Sequence, residues 1–363
     1  MDLNILILPG DGIGPEVTAE AIAVLHRVAE VFGHSVQATR GLIGGAAIEA
    51  TGSPLPDDTL RAAADADAVL LGAVGAPRFD HLPPGQRPER GLLALRQALG
   101  TFANLRPSRS WPALLEASPL KNAVADGTDL VIVRELTSGL YYGEPRGVTG
   151  NGRDERAVNT LSYTRPEIER VARVAFELAR TRRHRVTSVD KSNVLENSQL
   201  WRRVVIEVAA GYPDVALDHL FVDNCAMQLV LDPRRFDVIL TENLFGDILS
   251  DEAAVLSGSI GMLASASIGD RRPTGLRPGL YEPVHGSAPD IAGRGLANPF
   301  GAIGSVAAML AHTFELHAEA RAIESAIDRV VASGPVTADL KPSGRPGSTA
   351  QVGRAARDAI TSH

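Results

Sequence analysis

The sequence predicts an α/β fold. Short apolar runs of strand length alternate with longer segments of helical periodicity, and turns rich in glycine and proline separate them. The first run, Asn4 to Leu8, reads as a buried strand. Pro15 then stands where a first-turn proline belongs, and Val17, Ala21, Val24, Val28 and Phe32 recur at helical spacing behind it. Ala66 to Leu71 and Asp129 to Val133 are further strands. Thr164, Pro166 and Glu167 form a capping-box pattern ahead of a helix over 165–182, with Ile168, Val171, Ala175 and Leu178 as its buried stripe. Arg185 to Val189 and Asp237 to Leu240 are strands again, and Gly211 before Tyr212 and Pro213 marks a helix stop. Two stretches carry no core pattern: Gly139 to Ala157, a surface loop or projecting arm, and Gly269 to Gly279, read as a mobile loop.

With 363 residues the chain exceeds one average domain, which predicts two domains or one with a large insertion. Hydrophobic residues at 44% and charged residues at 22% are those of an ordinary globular protein. A net charge of -7 and only 4% aromatics exclude a phosphate-neutralising surface or stacking platform for nucleic acid, so the expected partners are small molecules. The single cysteine, Cys225, cannot form an internal disulfide and reads as a packed residue, which makes a reducing cytoplasm the default compartment. The opening MDLNILILPGDG has no basic leader, and no apolar run is long enough for a membrane span, so neither secretion nor membrane insertion is expected.

Several segments carry residues suited to chemistry. In LILPGDGIGPEV, Gly10, Gly12 and Gly14 lie between a strand and a helix, but the spacing departs from the dinucleotide fingerprint; a tight turn with a ligand nearby is the reading left open. In NLFGDILSDE, Asp247 and Asp251 share one helical face, and with Phe245 and Gly246 ahead of it the pair is expected to open that helix. Two carboxylates there repel unless a cation or an arginine lies between them, and oxygen donors without His or Cys favour Mg²⁺ or Mn²⁺. Arg96, Arg106 and Arg134 are expected beside strand ends, where a planar guanidinium suits carboxylate or phosphate recognition, although any one alone could be a surface ion pair. Tyr141 lies close behind Arg134. Lys191 follows a strand directly and could act as a base; His285, Asp290 and Asn298 lie in a polar, glycine-rich turn suited to a ribose or adenine edge.

Together these segments resemble the β-decarboxylating dehydrogenases, and their isopropylmalate branch most closely. PGDGIGPEV, GGAAI, ANLRP, VRELTSGLYYGEPRG, SVDKSNVLE, YPDVAL, NLFGDILSDE, EPVHGSAPDIAG and ANP follow one another in the family's order from Pro9 to Pro299. The resemblance implies an isopropylmalate/isocitrate dehydrogenase-like two-domain fold that is not a Rossmann fold. Residues 1–101 with 259–363 would form a cofactor-binding domain and 102–258 a central substrate and dimerisation domain. It further implies a homodimer with shared active sites, across which the Gly139 to Ala157 arm pairs.

Carried onto this chain, Arg96, Arg106 and Arg134 would bind the malate carboxylates, and Asp247 and Asp251 would hold the divalent metal with Asp223 of the partner. Lys191, also from the partner, would be the base for the substrate hydroxyl, and Tyr141 would return a proton to the enol after CO₂ leaves. Glu89, Leu92 and Leu93 would face the 3-substituent, with Val194 closing the pocket from the other subunit. Ile13, Glu282, His285, Gly286, Ser287, Ala288, Asp290 and Asn298 would form the cofactor turn. There Asp290 accepts from both ribose hydroxyls and repels a 2′-phosphate, favouring NAD. The implied reaction is NAD-dependent oxidative decarboxylation of (2R,3S)-3-isopropylmalate to 4-methyl-2-oxopentanoate in leucine biosynthesis. The same chemistry on homoisocitrate, tartrate, malate or a bulkier 3-substituted malate is the alternative, and a non-catalytic ligand-binding subunit a more distant one. Four positions depart from the family pattern: Ser138 for Gly, Leu140 for Ile, Ala76 for Gly and Ala264 for Pro. Ser138 and Leu140 lie beside the substrate residues and so bear on which substituent is accepted.

Overall fold

The computed structural model describes residues 1–273, 275–342 and 344–362. Its strands are β1 (Asp2–Gly10), β2 (Ser35–Arg40), β3 (Ala68–Ala73), β4 (Ala103–Arg109), β5 (Asp129–Glu135), β6 (Gly143–Thr149), β7 (Arg156–Thr160), β8 (Arg185–Asp190), β9 (Ala216–Phe221), β10 (Val238–Thr241), β11 (Ala264–Ile268) and β12 (Gly279–Pro283). Its helices are α1 (Gly14–Phe32), α2 (Gly44–Thr51), α3 (Asp57–Asp65), α4 (Pro88–Leu99), α5 (Asn122–Ala125), α6 (Arg165–Arg180), α7 (Glu196–Ala209), α8 (Val222–Leu231), α9 (Asn243–Ala254), α10 (Phe300–His312), α11 (His317–Ser333) and α12 (Thr349–Asp358). The chain divides into two compact units. One comprises Met1–Thr101, Ser110–Asn122 and Ala254–His363; the other comprises Phe102–Arg109 and Ala123–Ala253. Ser110–Asn122 thus groups with the chain ends, a short excursion that no shift in composition marks.

In the first unit the strands run in the order β2-β1-β3-β12-β11, parallel except for the β11/β12 pair. Every residue of β3 is buried, which is why its sequence AVLLGA is an unbroken small and apolar run rather than an alternating one. A core of Leu6, Leu8, Val69, Leu71 and Leu280 from the strands meets Leu95 and Leu99 of α4. Helix α1 begins beside Pro15, buries Val17, Ala21, Val24 and Val28, and ends at Gly33 in the left-handed region. The loop between β11 and β12 includes Thr274, which lies outside the described residues, as does the mobility expected of it.

The second unit orders its strands β4-β5-β10-β8-β9, with only β4 antiparallel to its neighbour. Helix α6 buries Ile168, Val171, Ala175 and Phe176, and both bonds of its capping box between Thr164 and Glu167 are made. Residues 139–157 are neither wholly loop nor structureless. After a turn of 3₁₀ helix at Gly139–Tyr141, β6 and β7 pair as an antiparallel two-stranded ribbon whose residues are mostly exposed. It lacks a core pattern in sequence because neither face is buried within the chain.

Candidate active site

The acidic pair lies on α9, with a correction to its placement. That helix begins at Asn243, so Asp247 stands in its second turn instead of opening it. Glu242 caps the helix start, accepting from the Phe245 N–H at 3.0 Å. Asp247 and Asp251 share a face, as their spacing requires, and Arg106 of β4 reaches both, at 3.9 Å and 3.3 Å. Arginine therefore already relieves the repulsion that otherwise called for a metal cation. Arg106 also donates to the Ser250 hydroxyl at 2.7 Å and to the Asn104 side chain at 2.8 Å.

Arg134 is part of β5 itself, one residue before its end, and is 3% exposed. Its Nη1 donates to Asp247 at 2.5 Å, while Nε and Nη2 reach the carbonyl and side-chain oxygen of Asn243. Register explains the meeting, because Arg134 pairs with Thr241 at the end of β10, immediately before α9 begins. Gly246 makes the approach feasible: a Cβ there would lie 2.6 Å from Arg134 Cγ. The Tyr141 hydroxyl donates to the other oxygen of Asp247 at 2.6 Å, and burial followed by that bond pushes the phenol up to about 12. Tyr141 is thus a neutral proton donor at ordinary pH.

Lys191 directly follows β8 and pairs with Asp223, in the first turn of α8, at 2.9 Å. The hydrogen bond from Lys191 holds the exposed Asp223 carboxyl below the usual range. The neighbouring Asp190 is buried and forms a two-pronged bond with Arg202 at 2.8 and 2.9 Å. Lys191 and Asp223 therefore come as a set, and among the described residues no three acidic, His or Cys side chains gather into a metal-holding group. Asp247 and Asp251 fit a hard divalent ion by their donor chemistry and leave its shell to be completed from elsewhere. Val194 is 65% exposed.

Within the first unit, α4 carries Glu89, Leu93 and Arg96 along one side. Leu92 turns partly away from them, packing against the core of Leu6, Leu8 and Leu95, and is to that extent a core residue. Arg96 is joined to Glu282 at 2.6 Å, both largely buried, so two residues expected to serve substrate and cofactor separately are partners of each other. The turn after β12 meets the turn after β1: the Ile13 N–H donates to the Ser287 carbonyl at 2.8 Å. A Cβ on Gly12, whose φ is +56°, would lie 1.9 Å from that carbonyl oxygen, so glycine is obligatory there. His285 is buried, with Nδ1 on the Gly286 carbonyl, and burial holds its imidazole below the ordinary range and hence neutral. Gly286 and Asp290 are exposed and Ala288 is half-buried. Asn298 is buried, and its amide is engaged with Asp339 at 2.9 Å and the Phe300 N–H at 3.0 Å. Cys225 is buried as expected, its thiol pushed up to about 12 by desolvation.

Three residues of these clusters escaped sequence reasoning. Asn243 is wholly buried and links Arg134 to the Ser138 carbonyl; its place at the first turn of a predicted helix was the available signal. Asp11 accepts the N–H groups of Gly45 and Ala46, in the first turn of α2, and of Gly75, in the loop after β3, at 2.7–2.9 Å; its signal was an acid between two glycines. Glu135 is fully buried and takes the N–H groups of Thr137 and Ser138, and burial raises its carboxyl above the usual range. No periodicity argument finds an acid at the end of a buried strand.

The profile of the isocitrate/isopropylmalate dehydrogenase family matches residues 4–356. The chain belongs to that family. It is 55% identical over 360 residues to the 3-isopropylmalate dehydrogenase of Halalkalibacterium halodurans, covering 99% of this chain and 97% of the relative. It is 56% identical over 361 residues to the enzyme of the same name from Shouchella clausii, covering 99% and 98%. Among solved structures, isocitrate dehydrogenase from Methylococcus capsulatus superposes with a TM-score of 0.86 at 39% identity, covering 99% of each chain. The family is one of decarboxylating dehydrogenases that use a pyridine nucleotide and a divalent metal ion.

Proposed function

We propose that this chain oxidatively decarboxylates (2R,3S)-3-isopropylmalate to 4-methyl-2-oxopentanoate with NAD and Mg²⁺ or Mn²⁺, a cytoplasmic step of leucine biosynthesis. The observation that carries this reading is the 55–56% identity, end to end, with relatives named for that activity. In this proposal the unit containing both chain ends binds the nucleotide and the other binds substrate and forms the dimer. Exposed Met227, Val230 and Leu231 make one apolar stripe on α8, with Ile248 exposed on α9, and a second copy is the occupant that stripe suits.

In the proposed reaction Arg96, Arg106 and Arg134 hold the two carboxylates and fix the C2–H bond. Lys191 of the partner subunit takes the proton of the 2-hydroxyl as C2 is oxidised. The carboxylate β to the new carbonyl then leaves as CO₂, its bonding pair passing into an enolate. Tyr141, neutral and held on Asp247 at 2.6 Å, supplies the proton that the enol carbon takes up. Asp247 and Asp251, with the partner subunit's Asp223, would hold the metal. When bound, nucleotide and metal supply the hydride acceptor and the electron withdrawal at the 2-oxygen. Ile13, Glu282, His285, Gly286, Ser287, Ala288, Asp290 and Asn298 are the proposed nucleotide residues, with Asp290 selecting NAD over NADP. Leu93, with Leu92 and the partner subunit's Val194, forms the apolar wall for the 3-substituent, while Glu89 on the same helix disfavours a third carboxylate.

Comparing kcat/KM for 3-isopropylmalate, isocitrate, tartrate and malate at saturating NAD and Mg²⁺, by NADH formation, tests the reading. Isopropylmalate should lead, and faster turnover of isocitrate or tartrate would overturn it.

A further inference from the structure

We propose that Ser138 is a positioning residue, whose hydroxyl, bonded to Glu167, locks the loop that carries Tyr141 and so holds the phenol on Asp247. The inference rests on the role proposed above for Tyr141. Strand β5 delivers the chain at Glu135, and the loop between there and Tyr141 hangs on two acids. Glu135 takes the N–H groups of Thr137 and Ser138, each at 2.9 Å. Glu167 takes the Ser138 hydroxyl at 2.6 Å through Oε1, while its Oε2 is engaged by the Thr164 N–H and hydroxyl at 2.7 and 2.8 Å. Further backbone anchors come from Asn243, which donates to the Ser138 carbonyl at 3.0 Å, and from the Gly139 N–H, which donates to the Ser162 carbonyl at 3.1 Å.

Of these anchors only the bond to Glu167 depends on the side chain at position 138. It differs from the others in what it grips: Glu167 belongs to the first turn of α6, whose Ile168, Val171 and Ala172 are buried, so the hydroxyl ties the loop to a packed helix. A hydrogen bond to a carboxylate is of the stronger, charge-assisted kind. Glycine, usual at this point in the family the sequence resembles, would remove that bond and place a second flexible residue beside Gly139, whose φ is +74°. The Ser138 hydroxyl is therefore spent on the orientation of Tyr141 and does not select the 3-substituent.

A double-mutant cycle tests this. Ser138→Ala should lower kcat about 10-fold, within the up to ~10²-fold cost of misplacing a reacting group. KM for malate and nucleotide, and the reduction of a 2-keto acid analogue, should stay unchanged, and Ser138→Thr should retain the rate. In a Tyr141→Phe background, Ser138→Ala should have no further effect, because its only route of action is gone. An equal loss in both backgrounds would identify a merely structural role and overturn the proposal, as would full activity of Ser138→Ala. Full activity of Tyr141→Phe itself would instead refute the role of Tyr141, and this inference with it.

Discussion

In the proposed reaction Tyr141 and Lys191 do different work, and their substitutions should fail at different steps. Tyr141→Phe and Lys191→Met should each lower overall turnover by ~10²- to 10⁴-fold, the usual cost of removing a positioned acid or base. Only Lys191→Met should also impair the reduction of a 2-keto acid analogue, which needs no proton on the enol carbon. Equal losses in every partial reaction would remove the separation of roles. At the turns proposed to bind the nucleotide, the contact of Gly12 with the Ser287 carbonyl makes Gly12→Ala a sharp probe. A non-glycine residue at φ +56° costs about 1–3 kcal/mol in backbone strain alone, and its Cβ would force the two turns apart. A raised KM for NAD, with kcat little changed, is the expected kinetic signature.

At the scale of elements, side chains at the ends of strands and helices hold the loops in place. Asp11 accepts three backbone N–H groups, two from the first turn of α2 and one from the loop after β3. Asp11→Ala removes the carboxylate from the buried Gly45 N–H and the half-buried Ala46 and Gly75 N–H groups, at about 1–3 kcal/mol where water cannot replace it. Urea denaturation should show a loss of at least that size, and KM for NAD should rise because Ile13 lies beside Asp11. The capping box of α6 could be read from Thr164 and Glu167 because capping is a local geometry repeated at many helix starts. The β6/β7 ribbon could not, since alternation of apolar and polar residues is legible only where one face is buried.

At the scale of the molecule, the proposed sharing of active sites gives a complementation test. Each active site would take Asp247 from one subunit and Lys191 from the other. Mixing an inactive Asp247→Asn subunit with an inactive Lys191→Met subunit should therefore place both lesions in one heterodimer site and leave the other intact. Activity approaching half that of the parent per heterodimer is expected, and none despite demonstrated exchange would rule sharing out. Stability should also follow pH in a predictable direction. Burial, with repulsion from Arg277 and His317, holds His312 down at about 4 against an ordinary 6.5. Between those values the unfolded chain binds a proton that the folded chain refuses, so this contribution is fully present above 6.5 and is lost as pH falls towards 4. Glu135 and Glu242, raised by burial, act in the opposite sense, so the comparison must be by difference. The urea midpoint of His312→Gln, relative to the parent, should rise as pH is lowered through that window; parallel curves would contradict it.

The sequence by itself determined the α/β class, the strands at β1, β3, β5, β8 and β10, the starts of α1 and α6 and the residues whose chemistry suits carboxylate or a hard cation. Each of these depends on short-range pattern or on the chemistry of a side chain, and both survive in a linear string. Only the tertiary structure decided who partners whom. Arg106 lies between Asp247 and Asp251 because β4 brings it there, and Arg96 is taken by Glu282 from far along the chain. Asn243 lies between Arg134 and the Tyr141 loop because β5 and β10 run in a fixed register. Ser138, a simple departure in the sequence, faces Glu167 because α6 packs on β5, the strand from which its loop leaves. Hydrogen-bond choice depends on distances of a few tenths of an ångström between remote segments, and no local pattern encodes those distances.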